Sequence, residues 1–175
     1  MAGIVSGILK SIDENGERWL LLVFYATIVA TISTEVVRRF VLSYSSIWGE
    51  EVARYAFIYL AWIGASAAVR ERAHIRIDVL LHYLSPRGQA VIYLFGDLAT
   101  LVLAVIALYW SIHPILTSIQ FGSVTHGLRI SQAWFLAAVP LGFSLMILRL
   151  LQSMLRDLRD LRHGRPVFSG NRLFD

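Results

Sequence analysis

Twelve acidic side chains, five histidines and no cysteine are the main stock from which this chain could build an acid–base or metal site. Without cysteine there are no disulfides, thiolate nucleophiles, zinc–thiolate sites or iron–sulfur clusters. No G-x-S-x-G, H-E-x-x-H or phosphate-cradling glycine loop occurs, so nucleophilic, zinc-hydrolytic and nucleotide chemistry lack their usual signatures. His74 and Asp78 stand one helical turn apart and could ligate a metal, but solvation by lipid headgroups at a membrane edge explains the pair more simply. A haem b site needs axial histidines facing each other within the membrane, whereas His74, His82 and His163 fall at one set of span edges and His113 and His126 at the other. The expectation is no metal, no cofactor and no enzyme. Asp97 is the ionisable group of greatest interest, because it lies within a long apolar segment where charge is costly and usually functional. Two readings stay open for it: a hydrogen bond to a polar group on another helix or a partner, or a step in a proton or ion relay.

The elements that must position these residues follow from the apolar content. Of 175 residues 57% are hydrophobic and 16% charged, and the mean hydropathy is +0.62, which places the chain in a bilayer. A hydrocarbon core of roughly 30 Å needs about 20 helical residues, and four stretches qualify. The fold expected is therefore all-α and integral to the membrane, one four-helix domain with spans about 19–40, 47–69, 86–112 and 130–150 and a tail over 151–175. A separate soluble catalytic domain has nowhere to sit. The first apolar run is longer than a signal-peptide core and ends in Glu35, Arg38 and Arg39 rather than at a cleavage motif, so it reads as a retained helix.

Positive charge sets the topology. Lys10 and Arg18, four arginines between spans 2 and 3, and six after span 4 lie on one side; only Arg38, Arg39, Arg54 and Arg129 lie on the other. The positive-inside rule then puts both termini in the cytoplasm. Between spans 2 and 3, Ile77, Leu80, Leu81 and Leu84 recur at helical spacing among charges, as in a short amphipathic interfacial helix. Ser85-Pro86 suits the start of helix 3, and Pro114, Gly122 and Gly127 make 113–129 read as a folded loop. Pro140 falls inside helix 4, where a kink is expected. Leu151, Leu155, Leu158 and Leu161 extend helix 4 into the cytoplasm until Gly164 and Pro166. At the outer end Glu35 can pair with Arg38 and Arg39, and Glu50 with Arg54, at helical spacing. Small residues four apart, Ala61/Ala65 and Gly64/Ala68, suit close helix approach.

The stretch Ile47 to Leu80, IWGEEVARYAFIYLAWIGASAAVRERAHIRIDVL, resembles the small membrane subunit, the DctQ type, of tripartite ATP-independent periplasmic (TRAP) transporters. The shared pattern falls on Trp48, Glu50, Glu51, Arg54, Gly64, Arg70, His74 and Asp78. Helix 4 matches through Trp134, Pro140-Leu141-Gly142 and Arg149. The resemblance implies a non-catalytic subunit of the bacterial inner membrane bound to a much larger, elevator-type membrane subunit that holds the sodium and substrate sites. A periplasmic binding protein would deliver an organic acid such as a C4-dicarboxylate or sialic acid, and this chain would anchor the stationary scaffold among membrane lipids. Two other classes remain: a haem-bearing anchor of a respiratory oxidoreductase, and a small homodimeric exporter. Asp97 lies outside the matching stretches.

Overall fold

The computed structural model describes residues 2–70 and 86–163. They form four α-helices: α1 (Ala2–Val41), α2 (Ile47–Arg70), α3 (Pro86–Gln120) and α4 (Ala133–Arg162). All four are long and apolar enough to cross a membrane. The interfacial helix expected near 77–84, with His74 and Asp78, lies outside the described residues.

Two expectations are corrected. Helix α3 does not stop at 112 but runs through Pro114 to Gln120. A proline removes one backbone bond, whereas ending a helix exposes four carbonyls, and among the apolar residues Ile115, Leu116 and Ile119 the first costs less. The stop comes at Gly122 (φ 58°), where Gly122 N–H donates to Ile119 O (3.1 Å) and Ser123 N–H to Ser118 O (3.0 Å), a Schellman closure. Helix α4 starts at Ala133 rather than 130. Residues 130–132 are held in a small antiparallel bridge instead, with Val124 opposite Ser131, Thr125 N–H donating to Ile130 O (2.9 Å) and Gln132 N–H to Ser123 O (2.9 Å).

The helices lie in the order α1, α2, α4, α3: α1 packs on α2, α2 on α4, and α4 on α3, with no other extensive pairing among the described residues. The result is a slab one helix thick. Its seams use small side chains. Ala56 and Ser66 of α2, Ala138 and Gly142 of α4, and Ala104 and Ser118 of α3 are buried, which lets backbones approach where no water drives association. Aromatic rings interlock across the central helix: Phe24 of α1 stacks on Tyr59 (5.6 Å), Tyr55 meets Phe135 of α4 edge-on (5.2 Å), and Trp62 meets Phe143 (4.7 Å).

A slab leaves both broad faces uncovered. No apolar window is more than 22% buried, and that of α1 is not buried at all. Hydroxyls on these faces are satisfied within their own helices: Thr27, Thr34, Thr100, Thr117 and Ser144 each donate to the carbonyl four residues back at 2.7–3.0 Å. They therefore need nothing from the surroundings, and the faces suit lipid or an apolar protein surface.

Candidate functional site

Polar side chains gather at the two ends of the slab. At the end carrying loops 42–46 and 121–132, α1 and α2 are joined by a carboxylate. Glu35 accepts hydrogen bonds from the Ser46 hydroxyl and from Ser46 N–H (3.1 Å), and pairs with Arg38 (3.4 Å). Ser46, at the entry to α2, turns its buried hydroxyl to Glu35. The Arg38 guanidinium lies over the Tyr44 ring (4.9 Å) and the Trp48 ring (5.5 Å). Gly49 makes room for the carboxylate, since a Cβ there would fall 2.7 Å from Glu35 Cδ.

Loop 121–132 is strapped onto the start of α2. The Glu51 carboxylate accepts the Leu128 N–H at 2.5 Å. A Cβ on Gly127 would fall 3.0 Å from Trp48 Cα and 2.8 Å from Glu51 Oε2, so a side chain there must lift the loop. Between strap and helix lies a cavity of about 320 Å³, lined by Glu50, Glu51, Arg54, Tyr55, Thr125 and His126 among others. Glu50 and Arg54 both face this cavity and form no ion pair with each other, contrary to expectation; each stays available to an external group. Removing the Glu51 carboxylate in Glu51→Ala leaves the Leu128 amide without its acceptor, a cost of about 1–3 kcal/mol if the amide stays buried. The expected result is a loosened strap, read as faster proteolysis within 121–132 with the helices intact; an unchanged cleavage rate would count against the strap.

At the opposite end a buried polar lattice ties the helices together. Glu17 of α1 pairs with Arg149 of α4 through Nε (2.8 Å), and Ser66 of α2, fully buried between them, donates to the same carboxylate oxygen (3.4 Å). Arg149 Nη1 donates to Gln152 (2.7 Å). One turn on, Ser153 donates to Asp97 of α3 (3.2 Å), and Asp157 is fully buried on the same face of α4. Asp97 thus sits at a helix seam with a hydroxyl partner. Among the described residues no group of acids and histidines could hold a metal ion.

The residues singled out by pattern are therefore dispersed. Trp48, Glu50, Glu51 and Arg54 gather at the loop end. Gly64 lies along α2, where an added Cβ would touch Leu21 of α1 (3.7 Å), Arg70 ends α2, and Pro140 sits inside α4 with its carbonyl accepting from Ser144 (2.7 Å). Asp97 belongs to the other end. The lattice members Glu17, Ser66, Ser153 and Asp157 were not singled out from sequence, and Arg149 only as a topology and family residue. One signal was present: Gly142, Arg149, Ser153 and Asp157 fall at helical spacing on one stripe, the buried face of α4.

Comparison with known proteins agrees with this architecture. The family model described as tripartite ATP-independent periplasmic transporters, DctQ component, matches residues 28–160, from the second half of α1 to the last turn of α4. The isethionate TRAP transporter permease protein DctMQ of Oleidesulfovibrio alaskensis is 27% identical over 87% of this chain, which spans only 25% of that protein's length. The sialic acid TRAP transporter small permease protein SiaQ of Vibrio cholerae is 24% identical over 84% of each chain. The ectoine TRAP transporter small permease protein TeaB of Halomonas elongata is 26% identical over 94% of this chain and 88% of its own. With all four apolar helices inside or overlapping the matched region, this multi-pass membrane chain belongs to the DctQ component family of TRAP transporters.

Proposed function

We propose that this chain is the non-catalytic small membrane subunit of a sodium-driven, binding-protein-dependent secondary transporter in a bacterial inner membrane, and that it imports no solute by itself. It forms one four-helix domain with both termini and the tail in the cytoplasm, in keeping with its arginine distribution. Its role is to brace a large elevator-type membrane subunit: one face of the slab packs on that subunit's stationary part and the other meets lipid. The loop end, with Trp48, Glu50 and Arg54 exposed, then faces the periplasm and a solute-binding protein.

The observation that carries this reading is the one-layer slab. Among the described residues it has two uncovered apolar faces, two modest cavities near its loop end, and four helices without the breaks with which secondary transporters build ion and substrate sites. Such a body is suited to enlarging another membrane protein. The likeness to one quarter of a longer permease supports a partner large enough to be joined in the same polypeptide. Relatives named for isethionate, sialic acid and ectoine share this subunit type, which supports placing solute choice in the partner proteins, the solute itself being a small organic acid such as a C4-dicarboxylate or sialic acid.

Reconstitution tests the proposal. Liposomes with this chain alone should show solute uptake equal to empty liposomes, and adding the large subunit and binding protein under an inward sodium gradient should start it. Uptake by the chain alone would overturn the reading and favour the exporter alternative.

A further inference from the structure

Two adjacent arginines at the loop end have opposite fates. Arg38 is neutralised within the protein by Glu35 and covered by Tyr44 and Trp48. Arg39, one residue on, is exposed and makes no ion pair among the described residues. It stands at the mouth of a second cavity of about 220 Å³, in the groove between α1 and α2. The mouth is polar, with Arg39, Ser45, Glu50 and the Glu35 carboxylate, whose charge is already taken up by Arg38 and the Ser46 bonds; below it the walls are Ile32, Val36 and Ala53. Arg39 and Ile32 are seven residues apart, so the groove follows α1 for roughly 10 Å toward the hydrocarbon. Phe40, 79% exposed, flanks it.

From this we infer a phospholipid site: the groove holds the headgroup and upper chain segment of one membrane lipid, its phosphate on Arg39 and its acyl chain along Ile32 and Val36. Charge complementarity selects this occupant. A cation at the rim of an apolar groove, at the depth where Trp and Tyr mark the membrane interface, matches a phosphate with a chain beneath it. Glu50 across the mouth adds a preference: its carboxylate accepts the ammonium of an ethanolamine headgroup and repels a purely anionic one. The volume is below the roughly 300–1,000 Å³ of pockets that enclose a small molecule, so the rest of the lipid stays in the bilayer. The inference requires only that the chain spans a membrane and stands apart from the transport reading.

Native mass spectrometry of the protein, purified with whatever accompanies it, delipidated and titrated with dioctanoyl phosphatidylethanolamine or phosphatidylglycerol, tests this. The wild type should retain one ethanolamine lipid in preference to the glycerol lipid. Arg39→Ala should lower retention roughly tenfold or more through loss of a charge-assisted contact, and Arg39→Lys should keep most of it. Ala53→Phe should block the groove with Arg39 in place, and Glu50→Gln should erase the headgroup preference. A photo-crosslinker at Val36 should label lipid. Retention unaffected by both Arg39→Ala and Ala53→Phe, or crosslinking at Val36 to protein alone, would overturn the assignment.

Discussion

Arg149→Ala is expected to destabilise the chain by about 3–5 kcal/mol, because it strands the Glu17 carboxylate, buried at the α1 end of the lattice, without its cation. Little of that carboxylate is open to solvent, and Ser66 offers one hydroxyl at 3.4 Å. The expected readout is a large fall in the melting temperature of the purified protein and in the fraction that survives gel filtration after mild heating. The double variant Glu17→Gln with Arg149→Met should recover most of the loss, since removing both charges removes the desolvation problem along with the attraction. A single variant as stable as wild type, or a double variant no better than the single, would show that the ion pair does not hold α1 to α4. The effect should be larger than for any exposed charge, such as Arg39, because exposed pairs contribute little.

Gly142→Leu should have the next largest effect, through sterics alone. A Cβ at this position would fall 2.7 Å from both Trp62 Cβ and Trp62 Cε3, closer than carbon atoms approach. The ring can rotate but Trp62 Cβ is fixed to the α2 backbone, so the α2–α4 seam itself must open. Overpacking of this kind costs typically about 1–3 kcal/mol for a small intrusion, and the leucine should exceed the alanine. Opening this seam also disturbs the Trp62–Phe143 contact and the bond from Tyr59 OH to Trp134 O (2.7 Å). Trp62→Ala relieves the ring contact but keeps the Cβ, so it should rescue Gly142→Ala only in part. Full rescue, or no loss in Gly142→Leu by thermal melting, would contradict a seam set by backbone proximity.

Both predictions concern the relation of α4 to the rest, and the slab explains why. With the helices in a row, α2 and α4 each have two neighbours while α1 and α3 each have one. An outer helix has no second seam to hold it if the first fails, and the lattice answers this at one end by reaching from α1 across Ser66 to α4, and from α4 to Asp97 of α3. The Glu35–Ser46 and Glu51–Leu128 bonds do the same at the other end. Fixed seams with uncovered faces are what the bracing role proposed above requires.

The amino-acid pattern alone determined the number and type of the four long apolar elements. Apolar runs of about 20 residues admit no other backbone in a bilayer, because only a helix satisfies its own amides there. It also carried the family pattern of Trp48, Glu50, Glu51, Arg54 and Gly64, and identified Asp97 as costly. Helix ends were less legible: Pro114 and Gly122 both read as breakers, and only the surroundings decided that the helix passes through the first and stops at the second. Tertiary structure alone decided the order α1, α2, α4, α3 and therefore which charges meet. Glu17 and Arg149 lie 132 positions apart, and each read separately is a residue at a span edge. Membrane helices present similar apolar surfaces to lipid and to one another, so hydropathy cannot rank the pairings; close contact at small residues and buried polar bonds, which depend on three-dimensional register, makes that choice.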